Sequence, residues 1–207
     1  MLRDRFTTLC KNFSSDQALI NQLWLEIEEA YQNSSRHYHN LKHLVKIYNE
    51  LPKYDYVTEF AIFYHDIIYD VTKSDNEEQS AQLCKERLSN LNVEPTTIME
   101  TTTLIRETKT HNPSSPRNAL FLDADLVILG SDYNEYREYT QKIRAEYRYY
   151  SEKEYIVGRM KVLTHFLKKE RIYHSDHFYT QYESAARENI LKELDTLKLS
   201  NTSYKAR

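Results

Sequence analysis

Glycine is nearly missing from this chain, which has two glycines, four prolines and two cysteines in 207 residues. Tight strand turns usually call on glycine, so a many-stranded fold is disfavoured and long helices with short connections are expected. Cys10 and Cys84 stand alone without CxxC spacing, which argues against a disulfide framework or a thiolate zinc site and favours a reducing compartment. The first thirteen residues carry scattered charge and no apolar stretch of the leader type. No run of about 18 apolar residues follows, so no membrane span is expected and the cytoplasm is the expected location. The formal net charge of −3 provides no basic face for a nucleic-acid polymer, although single nucleotides stay open as ligands.

What is present is a globular composition, 40% hydrophobic and 29% charged. One all-α domain over residues 1–199 is expected, with a core at about 36–130, C-terminal helices at about 132–199 and a frayed tail at 200–207. Eighteen tyrosines suit amphipathic packing, ring buried and hydroxyl wet. Ile20, Leu23, Trp24, Ile27 and Tyr31 recur at helical spacing. A second helix opens near residues 36–39 and buries Leu41, Leu44, Val45, Tyr48 and Leu51 before Pro52. A third, at 57–69, is apolar on nearly every side and therefore central. Asp75 and its neighbours offer a cap for a helix continuing through Ala81, Cys84 and Leu88. Further helices are expected at about 95–108, at 118–129 with Gly130 as a left-handed cap, from Asp132 toward Tyr150, from Ser151 to about 169, and at about 178–197.

The chemistry lies in an ordered set: His39, His43, His65-Asp66, then Asp123-Ala124-Asp125. Imidazoles and carboxylates are the ligands a hydrolytic divalent metal accepts. The last two members sit inside apolar runs, where a charge needs a counter-charge that a metal supplies. On a helix, His39 and His43 lie on one face. His65 and Asp66, about 100° apart, can both reach one ion. Asp123 and Asp125 point about 200° apart, so one of them has another task.

His43, His65-Asp66 and a later Asp resemble the H...HD...D signature of the HD superfamily of metal-dependent phosphohydrolases. Tyr38-His39-Asn40-Leu41-Lys42-His43 is similar to the YHNxxH segment of cyclic-nucleotide phosphodiesterases, a distant branch of that superfamily. The resemblance implies that His39 is the proton donor and that His43, His65, Asp66 and Asp125 are metal ligands, Asp125 being selected by its Ala124-Asp125-Leu126 context. Asp123 is then left for helix capping or hydrogen bonding to a ligand. Beyond this core the chain resembles a bacterial family of small predicted HD phosphohydrolases. The stretches that carry it include Arg36-His37-Tyr38-His39, Tyr64-His65-Asp66-Ile67-Ile68-Tyr69, Asn76-Glu77-Glu78-Gln79-Ser80-Ala81 and Ile143-Arg144-Ala145-Glu146-Tyr147.

One departure concerns the number of ions. Two-metal relatives often carry a HExxGA-like segment after the HD pair, and here Asn76 stands where its histidine would be. Asn is a poor ligand for a transition metal, so one ion is expected, with at most a weaker second held by Asp66 and Glu77 or Glu78. The ion is divalent, drawn from Mn, Fe, Co, Ni, Zn or Mg, and two histidines favour a transition metal. The implied reaction is attack of activated water on a phosphoester or phosphoanhydride of a small phosphorylated compound such as a nucleotide. Arg36, Lys109 and Arg144 are candidates to hold phosphate oxygens, His111 to touch substrate, and Glu77 to orient water. Two rival readings are a non-catalytic nucleotide- or metal-binding regulatory module on the same fold and a purely structural helical scaffold.

Overall fold

Leu2, Phe6, Leu9 and Cys10 follow helical spacing and all four are buried, so a first helix forms where the sequence reading placed none. The structure, a computed structural model, describes residues 1–205, with side chains to residue 200. Of the stretch expected to fray, 200–207, residues 200–205 are described as helical backbone and 206–207 lie outside the described residues. Among the described residues there are ten α-helices and no strand, in agreement with the all-α expectation. The chain divides into two compact units, residues 1–122 and the part from Asp123 onward.

The first unit holds α1 (Leu2–Cys10), α2 (Gln17–Tyr31), α3 (Leu41–Glu50), α4 (Tyr56–Tyr64), α5 (Asn76–Asn90), α6 (Pro95–Glu107) and the start of α7 (Pro116–Asp125). Helix α4 is its centre: Val57, Thr58, Phe60, Ala61, Ile62, Phe63 and Tyr64 are all buried, and α1, α3, α5 and α6 pack around it. Phe63 meets Phe6 edge-on at 5.0 Å and Trp24 at 6.4 Å. Each such ring contributes about 1.5–3 kcal/mol through burial. In α2 the buried set is Ile20, Leu23, Trp24, Ile27 and Tyr31, as its periodicity requires.

Two expected helix boundaries move, and both moves shape the site. The Asn40 side chain accepts the Lys42 N–H at 2.9 Å, so α3 starts at Leu41 and not near residues 36–39. His43 is in its first turn, whereas His39 lies in the preceding bend, off the helix. Helix α4 stops at Tyr64, although the apolar run continues to Ile68. The Asp66 N–H, which a continued helix would give to Ile62, donates instead to the Tyr31 hydroxyl at 3.2 Å, and the Ile62 carbonyl faces His65 Nδ1 at 3.1 Å. The Arg36 guanidinium holds the resulting turn by the carbonyls of Asp66 and Ile67 at 2.6 and 2.8 Å. His65 and Asp66 therefore occupy a turn and not one face of a longer helix.

The second unit holds the end of α7, a 3-10 segment at Val127–Gly130, then α8 (Tyr133–Glu146), α9 (Glu152–Lys168) and α10 (Asp176–Lys205). The helix expected over 118–129 is thus broken after Asp125. Gly130 does not have a positive φ, so it is no left-handed cap. Its role is close approach: a Cβ there would stand 2.7 Å from the Cβ and carbonyl oxygen of Tyr182 on α10. The Asn189 side chain secures the same junction by donating to the carbonyls of Leu129 and Ser131, both at 2.9 Å. Ser151 and Glu154 cap α9 reciprocally, the expected start of that helix.

Candidate metal centre

His43 from α3 and the turn His65-Asp66 after α4 meet inside the first unit. The Nε2 atoms of His43 and His65 are 3.3 Å apart. Asp66 Oδ2 stands 3.1 Å from His65 Nε2 and 3.9 Å from His43 Nε2. Both histidines are buried, and the Asp66 side chain keeps 20% of its surface exposed, so the group has one open side. Among the described residues, this trio has its ligand atoms all within 4.8 Å of one another.

The tautomer of His65 is set by its position at the helix end. Its Nδ1 lies 3.2 Å from the Ala61 carbonyl and 3.1 Å from that of Ile62, partners that can only accept. Nδ1 must therefore carry the proton, which leaves the Nε2 lone pair directed at His43 and Asp66. That lone pair can accept a proton from His43 Nε2 or face a divalent cation, which all three atoms could bind together. Atoms bound at about 2.0–2.2 Å to one tetrahedral ion stand roughly 3–3.5 Å apart along an edge, matching two of the three separations here. The donor set fits an ion.

Aromatic groups surround the trio. The Phe121 ring meets His65 edge-on at 5.7 Å, and Tyr38 lies 5.1 Å from His43 and 5.0 Å from His39. His39 is 5.7 Å from His43, centroid to centroid, and is nearly stacked on Tyr69 at 4.4 Å and 31°. The proton donor implied by the resemblance is thus beside the trio and outside it. No family model, curated protein or solved structure matches this chain.

The other sequence candidates fall in different places. Arg36 is buried and donates to the carbonyls of His39, Asp66 and Ile67 at 3.4, 2.6 and 2.8 Å, so it serves the scaffold and not a phosphate. Lys109 donates to the Ser74 carbonyl and lies 3.6 Å from Glu77, while Glu78 holds Arg106 through both oxygens at 2.6 and 2.9 Å. The two acids proposed for a weaker second ion are therefore each beside a cation. Asn76 bridges the loop after the turn, pairing with both the N–H and the carbonyl of Asp70 at 3.1 and 2.8 Å. His111 ends the turn after α6 with φ of 50°, a left-handed conformation costing a non-glycine residue about 1–3 kcal/mol.

In the second unit, Arg144 donates to Glu152 and to the carbonyls of Tyr147 and Tyr150 at 2.9, 2.9 and 3.2 Å, joining α8 to α9. Asp125 closes α7 in that unit. Asp123 is buried and accepts the N–H groups of His174 and Ser175 at 2.8 and 2.7 Å and the Ser175 hydroxyl at 2.6 Å. Burial pushes its carboxyl up, and these three donors hold it back. It ties the end of α7 to the two residues that precede α10.

Several supports were not identified from sequence. The Tyr31 hydroxyl accepts the Asp66 N–H at 3.2 Å, and Ser80 bonds both the N–H and the carbonyl of Ile68 at 3.1 and 3.3 Å. Tyr69, four residues after His65, carried the only local signal, as an aromatic next to the HD pair. Burial pushes the Cys10 thiol up to about 12 and raises Cys84 as well, so neither supplies a thiolate.

Proposed function

We propose that this protein is an HD-type, metal-dependent phosphohydrolase that cleaves a phosphoester or phosphoanhydride of a small phosphorylated compound such as a nucleotide. The observation that carries this reading is the convergence of two Nε2 atoms and one carboxylate oxygen within 4.8 Å, with His65 fixed in the ligating tautomer. His43, His65 and Asp66 would hold the ion, and the resemblance adds Asp125. A divalent ion so held polarises a phosphate oxygen and brings bound water to reactivity near neutral pH.

The remaining steps belong to the chain. Asp66 keeps the open side of the group, where an anion can approach. His39, whose ring lies 4.4 Å from that of Tyr69, would give a proton to the leaving oxygen. The buried wall of Phe121 limits water behind His65.

The test is a screen of nucleotides and phosphate esters against metal-loaded wild type, His39→Ala and Asp125→Ala. His39→Ala should keep its metal and lose about 10²- to 10⁴-fold in turnover. Asp125→Ala should lose metal. Metal loss in His39→Ala would reverse the roles of the two histidines, and ligand binding without turnover in wild type would favour the regulatory module. A wild type that takes up no metal would sink the proposal.

A further inference from the structure

Arg36 is 8% exposed, and its partners among the described residues are all neutral. They are three backbone carbonyls and the faces of Tyr31 and Tyr69, whose centroids lie 4.9 and 5.4 Å from the guanidinium carbon. A buried cation without an acid beside it is an expensive arrangement. The geometry suggests what it accomplishes. Nη1 spans the carbonyls of His39 and Asp66, and Nη2 takes Ile67, so one rigid fork joins the bend carrying His39 to the turn carrying Asp66. A second route runs through Tyr69, which contacts both the guanidinium and the His39 ring. Capture of the Asp66 and Ile67 carbonyls also holds the turn after α4, in which Asp66 Oδ2 stands 3.1 Å from His65 Nε2.

We infer that Arg36 is a positioning residue whose planar fork fixes the ligand turn and His39 as one piece, so that metal affinity depends on the fork and not merely on the charge. This rests on the metal-centre reading above. Lysine keeps the charge but is a point donor, and it cannot hold two diverging carbonyls in one plane.

The experiment titrates Co2+ alone into wild type, Arg36→Lys and a control, Arg87→Lys, following the visible absorption of the bound ion. Arg87 forms a comparable fork with Glu26, both bonds 2.8 Å, elsewhere in the same unit. Arg36→Lys should bind Co2+ about 10- to 100-fold more weakly, the usual cost of losing a group that orients ligands, and with an altered band shape. Arg87→Lys should match wild type. Equal affinity and spectrum in Arg36→Lys would overturn the inference while leaving the metal-centre reading intact. No Co2+ binding by wild type would overturn both.

If Arg36→Lys does not fold, hydrogen exchange on the wild type decides. Co2+ should protect the amides at 36–39 and at 65–69 over the same ion concentrations, and protection confined to 65–69 overturns the inference.

Discussion

The Nε2 atoms of His43 and His65 stand 3.3 Å apart across 22 residues of sequence, and His65 is turned so that its proton lies on the far nitrogen. One proton shared between these Nε2 atoms makes a hydrogen bond, and a divalent cation in its place would be bound by both imidazoles and by the Asp66 carboxylate. Because the group joins α3 to the turn after α4, an ion bound there is expected to stabilise the first unit.

That expectation is measurable by thermal melting. At a metal concentration one hundred times the Kd, a single site adds about 2.7 kcal/mol, roughly 5–10 °C for a chain of this size. His65→Ala should melt at the same temperature with and without metal. A metal-induced rise that survives in His65→Ala would remove His65 from the ligand set.

Acid should weaken the helix that presents this site. Burial works against the Asp55 carboxylate, but the Thr58 N–H and hydroxyl and the Arg117 guanidinium outweigh it and hold its pKa below the ordinary 3.8. A group depressed on folding stabilises above its unfolded value and loses that contribution as pH falls through the folded one. Asp55 is the N-cap of α4, accepting from Thr58 at 2.9 Å, so Asp55→Ala should cost about 1 kcal/mol at pH 7. The half-exposed pair with Arg117 adds little. Denaturation curves of variant and wild type should converge as pH drops below 3.8; a constant gap down to pH 2 would show that the charge plays no part.

The two glycines should respond in opposite directions. Gly130→Ala forces a methyl to within 2.7 Å of the Tyr182 backbone and should destabilise by about 1–3 kcal/mol. Gly158, inside α9 with nothing within 4 Å of an added Cβ, should gain about 0.5–1 kcal/mol on substitution by alanine. Urea titration of both variants checks the pair, and equal effects would contradict the close approach of α10 to Gly130.

Local signals were readable and distant ones were not. The buried stripe of α2 and the Ser151 cap of α9 depend on neighbours within one or two turns, so periodicity and cap chemistry reveal them. The stripe of α1 had the same spacing, but it is short and mixed with charge. The turn that ends α4 is held by the Tyr31 hydroxyl on the Asp66 N–H and by the Arg36 guanidinium on backbone carbonyls, both thirty or more residues upstream, and backbone partners leave no trace in a sequence. The same reason hid the partners of Arg36: its residue type suggests a phosphate, and only the fold brings backbone carbonyls to it. The pair His65-Asp66 stood out because imidazole and carboxylate inside an apolar run demand an explanation, and His43 joined it through its place in the ordered set.

The tie between Asp123 and the residues ahead of α10 also orders events during synthesis. Until His174 and Ser175 have left the ribosome, the Asp123 carboxylate has none of the three donors that hold it in the folded protein. A nascent chain can thus bury the core around α4 early, while the end of α7 must wait, hydrated, for a segment made some fifty residues later. Packing of the second unit therefore cannot be complete before the segment ahead of the last helix has been made.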